Sequence, residues 1–527
     1  MKKLLAILLC ACMILSLAAC GGKEEEAPAP EDTKTPEEAV QSGEAKIAET
    51  LVIGYDNDLD SADPYGSTSS QCAWYTNATF RTLVKSDYDT GELVGVLAES
   101  WNDVNGDATI WELKLLEGVK FHDGSTLDAE DVKFTWEYAK DAANVVKPIA
   151  SADDMVKEVI AVDDQTVQFV LNYAIPDFIS YLEIKIYSKD AFDSMDPAEA
   201  GLIGCGPYKV GELVSGVSYA LERFDDYYEG TEQFPTKTIV CKAFSDNNSA
   251  VAALQAGEIS YCFRLPAASY RTLDSDSKVN LVTRPGVMSY YIGINHRKAV
   301  WQDVDMRLAL AKAINRDDII NVVFEGGITA SRSDNFCIAS GKGHDASVKA
   351  PAYDVDGAKA LLEKCGKVGQ EVKIMATASA GSKDMGEVVQ ANLNAAGFNA
   401  TIDLVDGTNW TELKKTGDYD IFVGDYCSYS GALLYNFNRF FSDGGTSNMF
   451  DFHSDEFMEA IDKVRACATY DEMVAEFSNL QVWVAENVPL IPVAVNTAFA
   501  GARTNVGGIK LAPSDNLQEV CYLYATE

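Results

Sequence analysis

LAESWNDVNGDATIWELKLLEGVKFHDGSTLDAEDVKFTWEYA, residues 97–139, strings three local signals together. Trp101 and Trp111 flank NDVNGD, a cluster of turn formers that closes a hairpin. Trp111, Glu112, Leu113, Lys114 and Leu115 then alternate apolar and polar, the pattern of a strand with one buried face. Phe121-His122-Asp123-Gly124 turns the chain into a helix, with His122 expected to cap a surface turn. Asp128 is placed to cap that helix. Glu130 and Asp131 fall in its first turn, where the positive end of the helix dipole favours acids. Val132, Trp136 and Ala139 follow at helical spacing.

Outward from this stretch, strands and helices mix. Leu51-Val52-Ile53-Gly54 reads as an opening strand, and residues 159–171 as two strands joined at Asp163-Asp164. Residues 250–259 read as a short helix closed by Gly257. Gly204-Cys205-Gly206-Pro207 lacks the Lys-Ser/Thr ending of a phosphate loop, so its glycines are expected to let the backbone cross tightly. Near Pro285 to Ser289 the character changes. A strand at 290–295 leads to a helix opened by Asp303, and Asp354 opens another that Gly366 closes. Residues 372–375, a helix through Val388, Val389 and Leu393 ending at Gly397, and residues 400–404 make strand, helix, strand, an order that gives parallel strands. Helices from Ser454 and about Asp471 lead into residues 488–493, where the chain is expected to cross back.

A chain of 527 residues exceeds what one hydrophobic core organises, so two or three domains are expected, and 47% apolar residues are ample for them. A formal charge of −37 excludes nucleic acid as a partner, since phosphates need a basic surface, and reads chiefly as solvated exterior. Lys2-Lys3 and the apolar residues 4–17 lead to Leu17-Ala18-Ala19-Cys20, the form of a bacterial lipobox. Residues 1–20 are therefore expected to be a signal peptide and Cys20 the lipid-bearing thiol, with an ordinary signal peptide as the plainer alternative. Two esterified chains, at about 0.8 kcal/mol per buried methylene, would hold such a protein to the membrane. Residues 21–48 are rich in Glu, Pro and Ala and lack the apolar residues needed to offset the entropy of ordering, so a disordered tether is expected there. Without Cys10, Cys12 and Cys20, nine cysteines remain with no CxxC, which suits buried thiols better than a disulfide scaffold or zinc cage. The four histidines fall in no HExxH and no GxSxG occurs, so no cofactor, metal or catalytic residue is expected. A secreted hydrolase with a glycosidase-type acid pair stays open as the alternative from another class.

Ala98-Glu99-Ser100-Trp101, then LEGVKFHDG at 116–124, then Ala129-Glu130-Asp131-Val132 resemble, in order, the signature of family 5 extracellular solute-binding proteins, the peptide and nickel receptors of ABC importers. Residues 60–65, 204–210 (with Cys205 where Thr is usual), 221–228 and 250–259 also resemble family segments, so the likeness runs from about residue 49 to the end. It implies an α/β, two-lobed periplasmic-binding-protein-like (type II) fold, with an extra subdomain in the first lobe and a hinge of crossing strands. The first lobe is expected at 49–288, with the inserted subdomain at about 84–204, the second lobe at 289–493, and a return to the first lobe at 494–527. A monomeric receptor is implied, lipid-anchored through Cys20 on the outer face of the cell membrane. It would capture a solute and deliver it unaltered to an ABC permease.

The resemblance also points to a site. Family members usually anchor a peptide amine on the Asp of a G-W-x-x-D segment, and those that bind dipeptides add an Arg for the carboxylate. The matching segment here is VGDYCSYSG at 423–431, where Asp425 replaces the Trp and Ser428 falls at the Asp. A gap of one or two residues would bring Asp425 into the amine role. The Arg position falls in ATASAG at 376–381, which has no cation. What remains is Tyr65, Trp410, Tyr426 and Tyr429, with Ser428 and Asn436 as hydrogen-bonding groups. Such a set suits a long peptide held through its backbone, or a neutral oligosaccharide stacked on aromatic faces, and fits a dipeptide zwitterion poorly. For each aromatic, core packing is the competing reading.

Overall fold

Val279–Ile294 and Leu490–Arg503 form the two longest strands, paired antiparallel from Val279 opposite Arg503 to Gly293 opposite Leu490. The computed structural model describes residues 35–42, 45–55, 57–88, 90–147, 149, 155–428, 432–514 and 517–527. The long pair lies in the middle of an 11-stranded sheet. On one side follow Tyr261–Cys262, Thr50–Tyr55, Thr238–Ala243, Ser218–Arg223 and Tyr208–Val214. On the other follow Ile421–Cys427, Glu371–Thr377 and Asn399–Val405, while Ala330–Arg332 also pairs with Leu490–Arg503. The protein is thus an α/β molecule of two lobes hung on a pair of crossing strands.

Local chemistry explains the pieces. Glu371–Thr377 and Asn399–Val405 are parallel, joined by the helix Ala380–Ala395, and Gly397 ends that unit at φ +95°. Within the first lobe a separate four-stranded sheet runs Ala98–Asp103, Ile110–Leu115, Thr166–Leu171, Val156–Asp163. Its hairpin pairs Asp103 with Trp111, around the turn formers of NDVNGD. Helix Ala129–Ala139 starts with a capping box: Asp128 accepts the N–H groups of Glu130 and Asp131, and the Asp131 carboxylate accepts that of Asp128. Val132 and Trp136 from this helix pack with Leu113, Phe121, Val167 and Phe169 in one buried cluster.

The long pair is not regular. Its register slips between Pro285 and Ser289, and again between Tyr290 and Tyr291. At the first slip the Asn496 side chain replaces the missing ladder bond, its Oδ1 accepting the Met288 N–H at 2.9 Å. A Cβ on Gly286 would stand 2.0 Å from that same Oδ1, so only glycine leaves room for the plug.

One expectation holds and two change. Gly204 and Gly206 do pass close to another backbone, where added Cβ atoms would meet the carbonyls of Thr79 at 2.0 Å and Ala78 at 2.4 Å. His122, however, is not a cap on a surface turn. Its Nε2–H donates to Gly206 O (3.0 Å) and its Nδ1 accepts the Gly204 N–H (3.3 Å), so the ring locks that crossing, edge-on to Phe224. Part of the stretch expected as a tether is folded: Thr35 opens a helix at Pro36–Gln41 with a capping box, Glu37 accepts the Gly508 N–H, and Ile47 bridges Thr526. Thr35, Pro36 and Glu38 are helix-start residues hidden inside a Glu- and Pro-rich composition. Residues 1–20, with Cys20, lie outside the described residues. Among the described residues, no helix is long and apolar enough to cross a membrane. No described cysteine forms a disulfide, and Cys72, Cys205, Cys241, Cys262 and Cys521 are buried.

His296 is buried in the second lobe, its Nε2–H donating to Pro489 O (2.9 Å) and its ring 5.0 Å from that of Phe452. Burial lowers its pKa from 6.5 to about 4, and that of His122 likewise. A neutral ring is favoured in the fold, so this stability is complete above pH 6.5 and is lost as pH falls toward 4. The loss should reach roughly 3 kcal/mol for His296. Urea unfolding midpoints are therefore expected to drop over that range. By NMR the His122 and His296 rings should titrate near 4, whereas His453, whose pKa the Asp443 and Asp451 carboxylates raise, should titrate above 6.5. Ordinary titration of His296 would show that water reaches its ring.

Candidate functional site

A cavity of about 560 Å³ sits over the irregular middle of the long strands, lined by Val287 and Met288 from one and Asn496 and Thr497 from the other. Its size is that of a small-ligand site. Phe263, Arg264 and Leu265 line it from the first lobe, and Trp410, Val423 and Asp425 from the second.

Strand alternation decides which groups reach it. Along Ile421–Cys427, Val423 and Asp425 line the cavity, while Phe422 and Tyr426 belong to the aromatic core with Phe336, Phe437 and Phe440. The Asp425 carboxylate is open to the cavity and makes no hydrogen bond or ion pair among the described residues. Desolvation by the surrounding wall raises its pKa, and the positive charge of Lys414 partly offsets this. The Lys414 ammonium in turn lies over the rings of Trp410 (5.5 Å) and Phe422 (5.7 Å).

Arg264 brings the opposite charge to the first-lobe wall. It follows Tyr261–Cys262, whose Cys262 is paired with Gly54 on one side and Gly501 on the other, so its backbone is fixed by the sheet. Its Nη1 donates to the Tyr55 hydroxyl (3.1 Å), and its guanidinium lies 5.7 Å from the centre of that ring. A two-residue strand shows no period, and the resemblance directed attention to 376–381 for a cation, so the sequence did not single Arg264 out. At 376–381 the structure instead has the start of helix Ala380–Ala395, with Ser382 Oγ accepting the Thr377 N–H (3.0 Å). Thr377, Ser379 and Ser382 line the cavity, so the positive end of that helix dipole adds to it.

The other candidates stand elsewhere. Tyr426 is buried, its hydroxyl donating to Phe336 O (3.0 Å) and its ring stacked on Phe336. Ser428 is buried as well, its hydroxyl bonded to that of Ser289, and Asn436 Nδ2 donates to Ser428 O (2.7 Å). Ser428 and Asn436 line a small void of about 20 Å³, and Ser428 a second of about 30 Å³, and Asp425 lines neither. Tyr65 lies in the wall of a second large cavity, its hydroxyl donating to Lys185 O (2.9 Å). Tyr429 lies outside the described residues. Of the candidates, Trp410 and Asp425 share the cavity over the long strands.

Residues 92–448 match the model of the family described as bacterial extracellular solute-binding proteins, family 5 Middle. The dipeptide-binding protein of Escherichia coli (strain K12) is 26% identical over 469 residues, 82% of this chain and 86% of that protein. The oligopeptide-binding protein AppA of Bacillus subtilis (strain 168) is 27% identical over 453 residues, 80% of this chain and 79% of that one. The structure of B. subtilis AppA in complex with a nonapeptide superposes with a TM-score of 0.71 at 22% identity, over 92% of this chain and 100% of that one. The ABC transporter substrate binding protein CtaP from Listeria monocytogenes superposes with a TM-score of 0.83 at 23% identity, over 92% and 100%. These superpositions establish the type II two-lobed fold.

If Tyr426 is a core residue, Tyr426→Phe should cost about 1–3 kcal/mol in urea unfolding, because it leaves the buried Phe336 carbonyl without its donor. The stabilisation conferred by a saturating ligand should not change. A lost ligand response with unchanged stability would return Tyr426 to the site.

Proposed function

Because the chain belongs to family 5 of the bacterial extracellular solute-binding proteins, we propose that it captures oligopeptides outside the cell, between its two lobes, and delivers them unaltered to an ABC permease. The observation that carries this reading is the Asp425 carboxylate, turned into the cavity without a protein partner among the described residues. A peptide amine supplies the missing charge, and a charge-assisted hydrogen bond of this kind contributes about 1.5–3 kcal/mol. Trp410 offers an aromatic face beside it, and Thr377, Ser379, Asn496 and Thr497 offer hydrogen bonds to a peptide backbone.

The relatives are named for dipeptides and oligopeptides, which supports the substrate class. Ligand touching both lobes favours the closed form by its difference in affinity for closed and open states, and the permease would read that closed form. Attachment to the outer face of the membrane through lipid on Cys20 belongs to the same proposal. Cells fed labelled palmitate should label the wild-type protein and not Cys20→Ala; labelling of both would move the anchor elsewhere.

Thermal-shift screening tests the substrate class. Peptides with a free amine should stabilise the protein. Asp425→Asn should weaken them by about tenfold to a hundredfold, as loss of one charge-assisted bond requires. N-acetylated peptides should respond little to the substitution. Stabilisation by oligosaccharides and by no peptide would overturn the proposal.

A further inference from the structure

Asp177 lies in the inserted subdomain of the first lobe, between the strand Thr166–Leu171 and the 3-10 turn Phe178–Tyr181. Phe178 beside it packs into the subdomain core with Trp136 and Phe169. An acid at this position would ordinarily cap the turn that follows. Here the side chain makes no cap bond, and the turn is held by the Asp177 carbonyl, which accepts the Ser180 N–H (3.0 Å) and hydroxyl (2.7 Å). The carboxylate instead reaches the other lobe, where its Oδ2 accepts the Leu433 N–H at 3.2 Å. Leu433 is buried among Phe336, Phe437 and Phe477, a few residues beyond the strand Ile421–Cys427 that carries Asp425. A hydrogen bond thus ties the subdomain to the core behind the second lobe's cavity wall.

The match is incomplete. Asp177 is 5% exposed, yet its Oδ1 is buried without a hydrogen-bond partner among the described residues. Lys342 of the second lobe faces the carboxylate and offsets part of its charge, but forms no ion pair with it. That ammonium lies 4.9 Å from the centre of the Tyr470 ring and also faces Glu183, so its charge is shared. Tyr470 from the second lobe and Tyr181 from the subdomain face the same carboxylate, whose charge helps to keep their hydroxyls protonated. Burial outweighs these offsets and raises the pKa of Asp177. An ionised carboxylate with one bare buried oxygen is costly, whereas the neutral acid keeps the acceptor for Leu433 and sheds the charge.

We propose that Asp177 is a proton-linked catch on lobe closure: neutral, it holds the closed form through Leu433, and ionised, it loosens that form and favours release. The proposal rests on the clamp in the reading above, not on the identity of the solute. Separation of the lobes returns the carboxylate to water, where it ionises in the ordinary range. The group is therefore more easily protonated closed than open, so closure takes up a proton. The closed form gains as pH falls through the raised value and loses as pH rises above it.

The test uses the full protein with no ligand added, by small-angle X-ray scattering at pH 5 and pH 8. The radius of gyration of the wild type should be smaller at pH 5. Asp177→Asn keeps an acceptor for Leu433 without the charge, and should be compact at both. Asp177→Ala, neutral but without the acceptor, should be less compact than Asp177→Asn at both. Lys342→Gln, which leaves Asp177 and its bond in place, should shift the compaction to higher pH, because the offsetting charge is gone. A wild-type radius that ignores pH, or a pH response kept in full by Asp177→Asn, would overturn the catch. So would equal radii for the Asn and Ala variants. Since no peptide is present, failure of the peptide reading shows separately, as the absence of any peptide that stabilises the protein in the thermal-shift screen.

Discussion

The ladder of backbone hydrogen bonds between Val279–Ile294 and Leu490–Arg503 runs from one hydrophobic core into another. At one end Val279 and Phe499 pack with Leu254 and Leu273, and at the other Ile292 and Ile491 pack with Leu310, Ile374 and Val389. Each strand is therefore anchored at both ends, and its weak point lies between, where the register slips and the Asn496 side chain substitutes for a strand partner. A sheet interrupted at this point bends more easily than a continuous one. The cavity with Asp425 and Arg264 lies over that same point, so the proposed ligand contacts and the hinge share one place. On the proposed reading, binding and bending are coupled by position, with no long relay needed.

Charge is distributed to match. The exterior is strongly acidic, yet cations line both large cavities: Arg264 in one, and Arg81, Lys85, Lys147, Lys185 and Arg439 in the other. Such clefts concentrate field, so an isolated charge within them counts for more than the same charge on the surface.

Local signals in the sequence were legible wherever the period was long enough to read. The NDVNGD hairpin, the Asp128-capped helix, the Gly257 stop and the strand–helix–strand unit around Val389 all appear as their residues require. The site was less legible because it is built from single residues. Asp425 and Tyr426 are neighbours in the chain, but a strand sends them to opposite faces, and one position of error exchanges cavity for core. Arg264 could not be found from spacing, since its place depends on pairing with residues 54 and 501, far away in the chain. His122 lay in plain view within HDG, but its partners, Gly204 and Gly206, come into reach through the fold alone.

A jaw that closes about the crossing strands must become more compact when filled. Small-angle X-ray scattering of the purified protein, without ligand and at saturation with a peptide that raises its melting temperature, measures this directly. The account requires the radius of gyration to fall on saturation. An unchanged radius with the peptide bound would mean a rigid cleft, and would contradict the hinge.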